Sequence, residues 1–144
     1  VLNAAAIGEP ATMPQRVPWE AAFACGHALV DDQHRALLAQ CDRLADLCQP
    51  EADGARDAHF DDAFVHLQHL ARQHFESEAA LLASQGSPEL EDHRFECEEF
   101  EYLVSEIVST EHFNRLELQR FLTQWCLGHV LDSARRVRSG SEGA

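Results

Sequence analysis

The segment 60–82 reads FDDAFVHLQHLARQHFESEAALL, and its pattern decides the fold. Apolar residues recur every three or four positions, which is the period of one face of an α-helix. Two polar residues, His74 and Glu78, lie on that same face, one helical turn apart. The face comprises Phe60, Phe64, Leu67, Leu70, His74, Glu78, Leu81 and Leu82. The segment predicts a long helix with an imidazole and a carboxylate on its apolar side.

Three further segments share this period, and short loops rich in proline, glycine or serine separate them. The first helix is expected to start at Asp31 and Asp32, whose carboxylates suit a helix N-terminus, and to end at Cys48. Pro88 lies near the start of the third helix. In chain order, the predicted helices span residues 31–48, about 57–84, 88–110 and about 118–138. Four long helices joined by short loops predict an all-α, antiparallel up-down four-helix bundle.

The two ends of the chain show no such period. We expect residues 1–18, which contain three prolines, to form an irregular N-terminal arm or linker remnant. We expect residues 19–138 to form the bundle and residues 139–144 to form a flexible tail. Met13 is the sole methionine, so it could be the natural start.

The overall composition excludes several classes of function. With 45% hydrophobic and 25% charged residues among 144, the chain is typical of one globular domain. Eleven basic residues against 25 acidic ones give a formal charge of −14, which disfavours nucleic acid as a partner. No apolar run is long enough to cross a membrane and no signal peptide is apparent, so a cytoplasmic location is expected. The five cysteines show no disulfide or zinc-ribbon spacing.

Polar residues on the inner faces of the four helices point to a metal. His34, His93 and His129 each lie on the apolar face of their own predicted helix, as His74 does on the second. A single buried His–Glu pair is more often structural than metal-binding. Four inward histidines would each need a separate buried hydrogen-bond partner, whereas one shared metal site satisfies them all.

At these positions the sequence resembles the hemerythrin family, specifically the bacterial hemerythrin-like domains. The order and spacing of the motifs carry the resemblance: Trp19, Gly26, Val30-Asp31-Asp32-Gln33-His34, His74-Phe75-Glu76-Ser77-Glu78, Gly86-Ser87-Pro88 before His93, and Trp125-Cys126-Leu127-Gly128-His129. The resemblance implies a four-helix bundle that encloses two non-haem irons. Such domains bind dioxygen reversibly, or sense dioxygen or redox state for an attached output domain.

The resemblance also implies the ligand roles. His34 and His74 would bind one iron, His93 and His129 with Cys97 the other, and Glu78 would bridge the two. The family has a second histidine where this chain has Cys97. A thiolate could still bind metal, but the thiol could equally be an inert apolar residue, and both interpretations stay open.

A second departure concerns the bridge between the metals. Where the family has an aspartate that bridges the irons, this chain has Ala134. Asp132 lies about 200° away around a regular helix and is not expected to replace it. Solvent, hydroxide or oxide could fill the position, a single metal could bind at His34, His74 and Glu78, or the site could be degenerate. His27, His59, His66, His69 and His112 are expected outside the site. The charged runs are expected to be solvated faces: Glu96, Glu98, Glu99 and Glu101, and Arg135, Arg136 and Arg138.

Two classes of function remain. The first is a binding or sensory module for dioxygen or a related small diatomic molecule, with a possible covalently attached output domain. The second is an enzyme that acts on dioxygen, peroxide or nitric oxide at a depleted site. Since no acid or base beyond the ligands is identifiable, no catalytic residue is assigned and the sensory class is favoured.

Overall fold

The computed structural model describes residues 13–48 and 54–142. They form one turn of 3-10 helix at Ala21–Phe23 and four α-helices: α1 (Ala28–Asp46), α2 (Gly54–Ser84), α3 (Leu90–Ser109) and α4 (Arg115–Glu142). The described residues contain no β-strand. The prediction of an all-α four-helix bundle is therefore confirmed.

The helices alternate in direction, as contacts at the two ends of the bundle show. At one end, Nε2 of His34, near the start of α1, lies 3.8 Å from Oε1 of Glu78, near the end of α2. Oε2 of Glu78 lies 3.2 Å from Nδ1 of His93, at the start of α3. At the opposite end, Arg115 at the start of α4 forms a bidentate ion pair with Asp61 near the start of α2. Each helix therefore runs antiparallel to the next.

Several helix boundaries differ from the predicted ones. The first helix begins at Ala28. The ring of His27 caps it, because Nδ1 of His27 accepts a hydrogen bond from the backbone N–H of Val30. Asp31 instead accepts hydrogen bonds from the backbone N–H groups of Cys25 and Gly26, and so fixes the turn that precedes α1. The second helix begins at Gly54 rather than near residue 57, and residues 49–53 of the predicted loop lie outside the described residues.

The ends of the chain also differ from expectation where they are described. Helix α4 continues through Ser139 and Gly140 to Glu142, so it does not end near residue 138 as predicted. In the predicted arm, Gln15 is buried, and its backbone N–H and C=O both bond the side-chain amide of Gln119. Residues 1–12 lie outside the described part of the chain.

The core consists of two apolar clusters separated by polar side chains. The larger cluster fills the half of the bundle that contains the start of α2 and the start of α4 and includes Phe60, Phe64, Leu67, Leu44, Leu118 and Leu122. The smaller cluster lies near the opposite end and consists of Cys25, Val30, Ala134 and Val137. The four histidines and Glu78 lie between these clusters, so the fold holds them in a site screened from water.

Candidate metal centre

All four helices bring side chains to the polar layer between the two apolar clusters. The first two helices supply His34, His74 and Glu78, the third supplies His93 and the fourth supplies His129. Each of these side chains is almost completely buried. The structure therefore brings together the five predicted ligands that match the resemblance without substitution.

Four of these side chains converge more closely than the fifth. The Nε2 atom of His74 lies 2.9 Å from Nε2 of His34 and 3.0 Å from Nε2 of His129. Oε1 of Glu78 lies 3.0, 3.4 and 3.8 Å from the Nε2 atoms of His74, His129 and His34, respectively. One ligand atom from each residue lies within 4.8 Å of all the others. We name these four residues the cage: His34, His74, Glu78 and His129.

The side-chain amide of Gln33 favours one tautomer of His74, the central histidine of the cage. Gln33 donates from its Nε2 to Oγ of Ser77, which leaves its Oε1 facing Nδ1 of His74 at 2.9 Å. That contact is a hydrogen bond when Nδ1 of His74 carries the proton. Nε2 of His74 is then an unprotonated nitrogen directed at Oε1 of Glu78. Two electron-rich atoms 3.0 Å apart repel each other, and either a cation shared by both or an Nε2–H group of His34 or His129 would relieve that repulsion.

The electrostatics of the cage favour neutral rings at His34 and His74 beside an anionic Glu78. Burial lowers the pKa of His34 and lowers that of His74 to about 4. Burial alone would raise the pKa of Glu78, but contacts with the four histidines outweigh it and hold that pKa far below its usual range. Neutral imidazoles and an ionised carboxylate are the protonation states that bind a transition metal.

Three polar atoms on the outer side of the cage residues have no hydrogen-bond partner in the described part of the protein. Nδ1 of His34, Nδ1 of His129 and Oε2 of Glu78 are buried without a hydrogen-bond partner. Such groups are rare in proteins because each costs roughly 1–3 kcal/mol. It is the convergence of one donor atom from each of three imidazoles and one carboxylate that could hold a metal ion, and nitrogen and oxygen donors suit such an ion.

His93 and Cys97 lie beside the cage, not in it. Nδ1 of His93 lies 3.2 Å from Oε2 of Glu78, and its Nε2 lies 3.3 Å from the backbone oxygen of Phe75. Sγ of Cys97 lies 3.7 Å from Nε2 of His93. Burial, together with the charges of Glu78 and Glu96, raises the pKa of the Cys97 thiol to about 12. Without metal, Cys97 is therefore a protonated thiol, and its role as a ligand stays a prediction.

A serine that the sequence analysis did not single out contacts the cage directly. Ser133 is fully buried on α4, and its hydroxyl donates a hydrogen bond to Oε1 of Glu78. Its neighbour Ala134 packs into the smaller apolar cluster, whereas Asp132 is exposed. The spacing to His129, one helical turn away, was the sequence signal that could have identified Ser133.

Arg136 is the residue for which the sequence interpretation was wrong. The run Arg135, Arg136 and Arg138 indicated a solvated helix end, but the Arg136 side chain is only 4% exposed and pairs with Glu96 on α3. Its Nε and Nη1 atoms are buried without a hydrogen-bond partner. Arg136 follows His129 by seven residues, which is close to two helical turns, so periodicity places both on one face.

Aromatic rings cover the cage on one side. The indole of Trp125 stacks on the ring of His129, with centroids 5.0 Å apart and planes inclined by 8°. Phe75 contacts the same imidazole edge-on at 5.5 Å. The remaining histidines lie away from the cage: His27 caps α1, and the exposed ones are His59, His66, His69 and His112.

The low pKa of His74 predicts an acid-sensitive metal-free protein. In the unfolded chain His74 titrates near 6.5, whereas in the folded chain it titrates near 4. As the pH falls from about 6.5 to 4, the unfolded chain binds a proton that the folded chain does not, so folding stability is lost across that window. The difference corresponds to roughly 3 kcal/mol for His74 alone.

Urea denaturation in a chelator at pH 7.5 and pH 5.0 measures this loss. We expect His74→Leu to reduce the difference between the two pH values, and the exposed His69→Leu to leave it unchanged. Equal free energies of unfolding for the unmodified chain at both pH values would contradict the prediction.

Among the described residues, no helix has the length and apolarity that crossing a bilayer requires. Comparison of the whole chain with family models, with curated proteins and with solved structures finds no match. The resemblance to the hemerythrins therefore stays a prediction that rests on the motifs.

Proposed function

We propose that this chain is a hemerythrin-like metal domain that uses non-haem iron to bind or sense dioxygen, a related diatomic molecule, or redox state. The observation that carries the proposal is the 3.0 Å approach of Nε2 of His74 to Oε1 of Glu78 inside a buried cage, in a ring whose Nδ1 pairs with Gln33. A cation between these atoms would remove their repulsion. The choice of iron rests on the resemblance, since the donor set would also suit manganese or zinc.

The protein residues hold and isolate the ion. Glu78 supplies the negative charge, Gln33 orients His74, and Ser133 orients Glu78. Trp125 and Phe75 shield His129 from solvent on one side. When bound, iron would supply a redox-active centre with positions open to a small ligand. No further acid or base is assigned at the cage, which favours binding or sensing over turnover.

A sensory role is supported by the path of α4. This helix carries His129 and Ser133 at the cage and continues to Glu142 without interruption. A change at the metal that shifts His129 would act on a single rigid element leading away from the site. An output domain joined to α4 would receive that change, and a signalling protein with such a domain is the context we propose.

Anaerobic reconstitution with ferrous iron followed by exposure to dioxygen tests this function. We expect a stable charge-transfer band, or an oxidation that dithionite reverses, with the helices intact by circular dichroism. Sustained consumption of dioxygen or peroxide with many turnovers would instead indicate an enzyme. Failure to bind any iron would overturn the proposal. Gln33→Leu should weaken iron binding about tenfold, as second-shell changes typically do, while the exposed Gln73→Leu should not.

A further inference from the structure

We infer that the cage holds one divalent metal ion, bound by His34, His74, His129 and Glu78, and not the metal pair that the resemblance implies. This inference rests on the proposed function, in that both need a metal in the bundle. It differs from the expected arrangement by placing His129 on the same ion as His34 and His74. His93 and Cys97 then become neighbours of the ligands.

The separations between donor atoms support a single ion. Ligands bound at about 2.0–2.1 Å around one four-coordinate ion lie roughly 3.3 Å from each other. Five of the six separations in the cage range from 2.9 to 3.8 Å, and the sixth, between His34 and His129, is at most 4.8 Å. The resemblance assigns His74 and His129 to different metals, and paired metals lie about 3.5–4 Å apart. A separation of 3.0 Å between their Nε2 atoms suits one ion better.

The side chains that would hold a second ion are directed at other groups. The two ring nitrogens of His93 face an oxygen of Glu78 and the backbone oxygen of Phe75. The sulfur of Cys97 contacts the His93 ring, and neither residue belongs to the converging group. Ala134, where the family has a bridging aspartate, lies in an apolar cluster and offers no donor.

Charge gives an independent reason. Within the cage, Glu78 is the one anionic donor, so a single divalent ion leaves one net positive charge and a second ion would leave three. Arg136 adds a buried cation whose charge acts on Glu78, and its direct ion-pair partners are Glu96 and Glu89. Uncompensated charge in a buried site is costly, and none of the other three cage residues is an anion.

Metal counting on the unmodified chain tests the inference directly. The metal-free protein is titrated with Zn²⁺ and separately, without oxygen, with Fe²⁺, then desalted and analysed for metal per chain. We expect one ion of either metal. Two ions per chain would overturn this inference and leave the proposed function standing. If Zn²⁺ binds but Fe²⁺ does not, only the proposed function fails, and if neither binds, both fail.

Two variants and a spectroscopic measurement identify the ligands. His129→Gln should lower the Zn²⁺ affinity at least about a hundredfold, whereas His93→Gln should keep one ion per chain with a smaller loss. His66→Gln, on the exposed side of α2, is the matched control and should have no effect. X-ray absorption of the zinc form should show no sulfur ligand and no neighbouring metal. A zinc–sulfur distance near 2.3 Å would contradict the assignment even if a variant failed to fold.

Discussion

Replacing Glu78 with glutamine is expected to abolish tight metal binding while the four helices remain formed. Glutamine keeps the shape of the side chain and its contact with Ser133, but it removes the one negative charge in the cage. Since the change removes a ligand and not only its support, the loss should exceed the 10–100-fold typical of residues outside the ligand set. We expect the dissociation constant for Zn²⁺ to rise by about a thousandfold.

Competition with a chromophoric chelator at pH 7.5 measures this constant. Glu76→Gln is the matched control, because Glu76 lies two residues earlier on the same helix and is exposed. The two variants change the net charge of the protein equally, so a general effect of charge on cation binding would appear in both. An affinity of Glu78→Gln within threefold of the unmodified chain would show that the metal, if bound, lies elsewhere.

Introducing aspartate at Ala134 is expected to destabilise the metal-free protein by about 3–5 kcal/mol. The resemblance places a bridging carboxylate at this position, but Ala134 is 0% exposed and packs against Val30, Cys25 and Val137. A carboxylate there would lose its hydration and would meet apolar side chains. Against the 5–15 kcal/mol that usually stabilises a domain, this loss is large.

Urea denaturation in a chelator, repeated with excess Zn²⁺, checks the effect at Ala134. Leu131→Asp adds the same charge to the same helix at a residue that is 44% exposed, and it should cost less than about 1 kcal/mol. If added metal restored the stability of Ala134→Asp and raised the count to two ions per chain, the aspartate would have completed a metal pair, against our inference.

Much of the fold could be predicted because the apolar period is long and regular in each helix. The ends of the helices were less predictable, since they depend on particular hydrogen bonds. His27 starts α1 through its ring nitrogen, an atom whose role no periodicity reveals. Ser139 and Gly140 suggested a flexible tail by composition, yet they continue α4.

Within the site, the sequence identified the residues that share an inward face but not how closely they converge. The separation of His93 from the cage depends on the rotation of α3 and on the contact of the His93 ring with the backbone oxygen of Phe75. Neither can be read from the spacing of residues in the sequence. Arg136 was misread because charged residues in a run usually face water, and its burial follows from pairing with Glu96 on another helix. Ser133 was overlooked because a single hydroxyl carries little signal in a sequence.

The division of the core into two clusters bears on how such a chain can change over time. The larger cluster consists of apolar side chains from all four helices and contains none of the four histidines or Glu78. Substitutions at the metal-binding end therefore need not abolish folding, so a gene encoding this bundle can acquire a cysteine at position 97 or an alanine at position 134 and still yield a folded product. Folding favours the small or apolar residues now at these positions, whereas a charged ligand at position 134 would cost stability that a bound metal would have to offset, so the ligand set can change on an unchanged scaffold.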